Sequence, residues 1–119
     1  MKSNRLDILD RTFKFGVRII KLANSLPRSP AGYAIANQLV RAGTAIGANL
    51  EEAQSAHSKK DFIHGVTISL KEARECYYWL RIVLESKLTE EKKLEAILDE
   101  NEQIVKILVS IIKKAKSNS

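Results

Sequence analysis

Apolar residues recur along this chain at alternating spacings of four and three, the interval that stacks side chains on one side of an α-helix. In the first segment Ile8, Thr12, Phe15, Ile19, Leu22 and Leu26 form a seam, and Leu9, Phe13, Gly16, Ile20 and Ala23 widen it. The pattern predicts a helix over residues 6–26, stopped by Pro27 and Pro30. Ser29-Pro30 joins a capping hydroxyl to a proline at the first helical position, and opens a second helix over residues 30–55. This segment is rich in alanine and glycine. Gly43 and Gly47 each cost about 1 kcal/mol against alanine in a helix, so a close approach by another helix backbone is expected there.

Ser58-Lys59-Lys60-Asp61 resembles a capping box and begins a third helix over residues 59–86. Phe62, Val66, Ser69, Ala73, Cys76, Leu80 and Val83 give its seam, with Ile63, Leu70, Tyr77 and Leu84 beside it. A polar break at residues 86–89 precedes a fourth helix over 90–115, expected to be capped from Thr89-Glu90-Glu91. Leu94, Ile97, Asn101, Ile104, Leu108 and Ile111 line it, and Lys113, Lys114 and Lys116 suit the negative end of its dipole. No alternation of period two competes with these helices. Four helices with short links predict one all-α domain, an up-down-up-down antiparallel four-helix bundle.

Composition narrows the function. The chain has 119 residues, 45% hydrophobic and 29% charged, enough to bury a core. A single cysteine, Cys76, excludes an internal disulfide and fits a reducing cytoplasm. No apolar run approaches the roughly 20 residues of a membrane span, and no signal-peptide core follows the basic start; a cytoplasmic protein with no membrane partner is expected. The net charge is +6, and its surplus lies mainly in residues 1–28, where Lys2, Arg5, Arg11, Lys14, Arg18, Lys21 and Arg28 face only Asp7 and Asp10.

Residues Gln38-Leu39-Val40-Arg41-Ala42-Gly43 and Asn49-Leu50-Glu51-Glu52, then Lys59-Lys60-Asp61-Phe62, Lys71-Glu72-Ala73-Arg74-Glu75 and Tyr78-Trp79-Leu80-Arg81, form a pattern spread over nearly the whole chain. It resembles the four-helix bundle proteins first noted in intervening sequences of 23S ribosomal RNA genes. Many members carry Ser in place of Ala45 and Gly in place of Ala53. The resemblance implies a protomer that assembles into a ring, commonly a homopentamer, and it carries no established biochemical activity with it. It extends distantly to the accessory protein of diversity-generating retroelements, which makes RNA or DNA a partner to test.

Two groups of residues carry candidate chemistry. Gln38, Arg41, Asn49 and Glu52 share about 80° of the second helix at 100° per residue, and Glu72 and Glu75 form a line on the third. They are either a polar ligand pocket or a structural ion-pair cluster within the bundle or at an interface. The forked guanidinium of Arg41 favours the second, and its removal is then expected to lower stability. Arg11, Lys14, Arg18 and Lys21 share a similar sector of the first helix, a basic stripe able to meet phosphates. No aromatic interrupts that stripe, so contact there is expected to follow backbone charge rather than base identity.

Other groupings are weaker. His57, Asp61 and His64 fall at metal-like spacings, but no third histidine completes a set, and no metal or other cofactor is expected. Cys76 sits on an apolar seam with no histidine at helical spacing, which argues against a nucleophile. Asn101 on the fourth seam reads as a register device. With no acid, base and nucleophile assembled, the expectation is a non-enzymatic, self-associating bundle serving as a nucleic-acid-binding accessory or scaffold. The alternative is a protein–protein interaction module whose basic face only solubilises it.

Overall fold

The computed structural model describes residues 4–118 and contains four helices: α1 (Asn4–Ser25), α2 (Pro30–Ala53), α3 (Lys59–Glu85) and α4 (Glu91–Ser117). No strand occurs among the described residues. Lys2 lies outside them, as does the side chain of Arg5. Helix α1 begins two residues before the apolar pattern does, and α2 and α3 end within two residues of the expected positions.

The start signals act as their chemistry requires at two of three helices. Ser29 Oγ accepts from the Gly32 amide at 3.0 Å, and Ser58 Oγ accepts from the Asp61 amide at 3.1 Å. Helix α4 differs. Its cap position is Glu90, one residue after Thr89, and no side chain bonds its first amides; Glu91 in the first turn acts through the dipole instead. The α3–α4 link is a Schellman turn. Lys87 adopts a positive φ of 55°, the Leu88 amide donates to Val83 O and the Lys87 amide to Leu84 O, both at 3.1 Å.

Packing follows the seams. Ile8, Phe15 and Ile19 of α1, Leu39, Ile46 and Leu50 of α2, Val66, Leu80 and Val83 of α3, and Leu94, Ile104 and Leu108 of α4 are fully buried in one core. Helix α1 packs on α2 and α4, and α3 packs on the other sides of the same two helices. The resulting rod measures 49 × 24 × 20 Å.

Polar groups on the seams turn to carbonyls. Thr12 Oγ1 donates to Ile8 O at 2.9 Å, and Ser69 Oγ crosses to Ile46 O at 2.7 Å. Asn101 Nδ2 crosses to Ala73 O at 3.0 Å, leaving its Oδ1 buried without a donor. Phe13 and Ile20, whose spacing suggested a wider buried stripe, stand exposed at 63% and 41%. A single α2 neighbour covers only the adjacent seam, so the outer half of that stripe faces away from the bundle.

Candidate functional site

Arg41 on α2 is the centre of the polar cluster. Its Nε and Nη2 donate to Gln38 Oε1 at 3.2 and 3.0 Å, one turn back on the same helix. Nη1 reaches Glu72 Oε1 at 3.3 Å, and Nη2 pairs with Glu75. Glu75 also accepts from the Trp79 indole N–H at 3.3 Å, and Trp79 stands edge-on to Tyr78 with ring centres 5.0 Å apart. Gln38, Arg41, Glu72 and Glu75 are therefore brought together. Asn49 and Glu52 are not: Asn49 Nδ2 donates to Ala45 O of its own helix at 2.8 Å, and Glu52 lies exposed a turn further on. The guanidinium fork is filled by protein carboxylates and an amide, so the cluster has the character of a tie between α2 and α3.

The basic stripe of α1 divides. Arg11 donates to Glu100 of α4 through Nε at 3.0 Å and Nη2 at 2.7 Å, and Nη2 also reaches Gln103 Oε1 at 2.9 Å. This bidentate bond to Glu100 raises the Arg11 pKa above its ordinary value, against the opposing effect of burial. Lys14 pairs with Asp10 one turn earlier at 2.9 Å. Arg18 and Lys21 remain exposed further along the helix. Half of the stripe is thus committed to acids within the chain, because Asp10 follows the helical period and α4 brings Glu100 alongside.

Next to that stripe lies an apolar groove between α1 and α2, about 280 Å³ in volume and lined by residues that include Phe13, Val17, Ile20, Gly47 and Ala48. Thr44 also lines it, but its hydroxyl donates back to Val40 O at 2.6 Å. The period of α1 alone assigns Phe13 and Ile20 to the inside of the bundle. Only the position of α2 shows that they face outward.

The solvent face of α3 holds a second grouping, apart from the acid clusters and basic runs that stand out along the sequence. Lys71, Arg74, Tyr78 and Arg81 are all exposed and fall within about 80° of the helix. Their three-and-four spacing is the signal that could have revealed them. Beside them Tyr77 donates its hydroxyl to Glu102 of α4 at 2.6 Å, and this hydrogen bond is the main reason its pKa is raised.

His57, Asp61 and His64 are exposed at the start of α3, and no group of three metal-ligating side chains occurs among the described residues. Cys76 is buried, and burial pushes its thiol up to about 12, with the charge of Glu72 adding to the shift. At neutral pH such a thiol is protonated and enclosed. No helix is long and apolar enough to cross a membrane among the described residues.

Comparison with known proteins gives consistent matches. The family model described as 23S rRNA-intervening sequence protein matches residues 4–110. A crystal structure of a protein with unknown function from the S23 ribosomal protein family of Bacteroides thetaiotaomicron is similar at 36% identity and a TM-score of 0.87. The likeness covers 93% of this chain and 99% of that one. Among curated proteins none matches significantly. A family match over nearly the whole four-helix unit, joined by a solved relative of similar length and fold, shows that the chain belongs to the 23S rRNA-intervening sequence protein family.

Proposed function

We propose that the protein is a non-enzymatic, self-assembling scaffold whose assembled form holds nucleic acid in the cytoplasm. The observation that carries this reading is the exposed apolar stripe of Phe13, Val17 and Ile20 over the α1–α2 groove. Burying one large apolar side chain yields about 1.5–3 kcal/mol, so three neighbours left in water favour a contact between copies. In the proposed architecture each protomer is an up-down-up-down bundle and the copies close into a homopentameric ring. The protomer topology is supported by the order in which residues of neighbouring helices meet. Thr12 lies beside Gly47 and Ile19 beside Gly43, Ser69 meets Ile46 while Glu72 and Glu75 meet Arg41, and Asn101 meets Ala73 while Asn118, just past α4, meets Lys59 at the start of α3.

The nucleic-acid half of the proposal is supported by the net charge of +6 and by Arg18 and Lys21, exposed beside the apolar stripe. Light scattering after size exclusion tests the assembly: a mass several times 13.4 kDa is expected, and a single-chain mass at every concentration overturns it. Fluorescence anisotropy with labelled RNA and DNA tests the binding, which should weaken steeply as salt rises. An assembled protein that binds neither, even at low salt, is better described as a protein-interaction module with a solubilising basic face.

A further inference from the structure

Helix α3 turns its seam towards α2 and α4 and presents the opposite side to solvent. On that side Lys60, Lys71, Arg74, Tyr78 and Arg81 fall within about 80° and span roughly 30 Å along the axis, every one of them exposed. No acid interrupts the stripe before Glu85, one turn beyond Arg81. The carboxylates that flank its Lys71–Arg81 part are engaged. Glu72 and Glu75 are held by Arg41, and Glu102 accepts the Tyr77 hydroxyl. Arg74 and Lys106 flank the Tyr77–Glu102 bond across a shallow α3–α4 groove of about 380 Å³.

Within this cationic stripe Tyr78 is 50% exposed, so one face of its ring is open to solvent. It is also braced. Trp79 meets it edge-on at an interplanar angle of 77°, and Trp79 is fixed through its indole N–H to Glu75, itself held by Arg41. A ring braced in this way gives up little freedom when a flat partner stacks on it. Cations that track a phosphate backbone, with an aromatic face among them, are the two elements from which non-sequence-specific single-strand binding is built. A duplex hides its base faces, and an acidic peptide uses the cations but not the ring.

We propose that the solvent face of α3 binds single-stranded nucleic acid, with Tyr78 stacking on an unpaired base and Lys71, Arg74 and Arg81 contacting phosphates. The proposal rests on the nucleic-acid reading above but moves the contact from α1 to α3. Its test is fluorescence anisotropy with a fluorescein-labelled oligouridylate and an RNA duplex of equal length. The proteins compared are the unaltered chain and the variants Tyr78→Ala, Tyr78→Phe, Arg74→Gln/Arg81→Gln and Arg18→Gln/Lys21→Gln, each checked by circular dichroism.

Tyr78→Ala should weaken oligouridylate binding by roughly tenfold or more, the size of a single base–aromatic stack, and leave the duplex unaffected, while Tyr78→Phe binds as the unaltered protein does. Arg74→Gln/Arg81→Gln should reduce the steepness of log affinity against log salt by about 0.7 for each single-strand phosphate that is no longer neutralised. If only Arg18→Gln/Lys21→Gln abolishes binding, the α3 surface is overturned and the nucleic-acid reading stands on α1. An equal effect of Tyr78→Ala on strand and duplex overturns the stacking role. If the unaltered protein binds neither probe at low salt, the nucleic-acid reading falls and this proposal with it.

Discussion

Arg41 is 49% exposed while it holds two carboxylates of α3. That exposure sets the energy of the tie. Breaking a fully buried pair costs about 3–5 kcal/mol, but water screens a half-exposed one, and Arg41→Ala should cost about 1 kcal/mol or less. The same change frees Glu75 from its brace, so emission from Trp79, the chain's single tryptophan, should shift even where the melting curve barely moves. Unchanged emission would show that the cluster does not reach Trp79. Cys76 gives a contrasting case. Its thiol pKa rises from an ordinary 9.0 to about 12 on folding, mainly through burial. An acid raised in this way lends full stability below its unfolded value and loses it as pH climbs towards the folded one. Stability should therefore fall by about 1.4 kcal/mol per pH unit through that window. Urea unfolding from about pH 9 upward should show this extra fall in the unaltered protein and not in Cys76→Ala.

Between elements, glycines set how closely α1 and α2 approach, though not all in the same way. A Cβ on Gly47 would lie 3.3 Å from the Thr12 carbonyl carbon, a close approach to backbone. At Gly43 the space is taken by a side chain: a Cβ there would lie 2.7 Å from Ile19 Cγ2 and 2.8 Å from Cγ1. Isoleucine is stiff at χ1 and cannot swing clear. Gly43→Ala should destabilise by about 1–2 kcal/mol despite its better helix propensity. Gly16 faces the same contact from the other side with room to spare, its added Cβ 3.7 Å from Gly43 O. Gly16→Ala should stabilise by up to about 1 kcal/mol. Thermal unfolding of the two variants should move in opposite directions, and a shared direction would mean that the α1–α2 spacing adjusts more freely than its packing implies.

For the whole molecule, the decisive feature is an apolar stripe on the outside of a rod that already has a complete core. Phe13 and Val17 touch solvent, so charging them leaves the folded protomer intact while removing the surface proposed to join copies. Phe13→Asp/Val17→Asp should scatter X-rays as a single chain, with a radius of gyration near 15.0 Å, where the unaltered protein gives a larger value. A value near 15.0 Å for both would remove the stripe from any role in assembly.

The elements themselves were legible because helix formation is governed by local quantities. The period of apolar side chains, Ser29 before Pro30, and Ser58 three residues before Asp61 all act within a few residues of one another. The core seams followed, since one turn of a helix determines which side chains share a face. The α2–α3 tie was partly legible. Arg41, Glu72 and Glu75 stood on facing helices, but the sequence could not separate Glu52, too far along α2, from the carboxylates within reach.

Tertiary structure decided everything that depends on which helix lies beside which. Placing α4 next to α1 turned Arg11 from an open cation into the partner of Glu100. Placing α2 against only one side of α1 left Phe13 and Ile20 in water. Periodicity gives the angle of a side chain about its own axis and nothing about what stands opposite, so an apolar residue at the edge of a stripe reads the same whether a neighbour covers it or not.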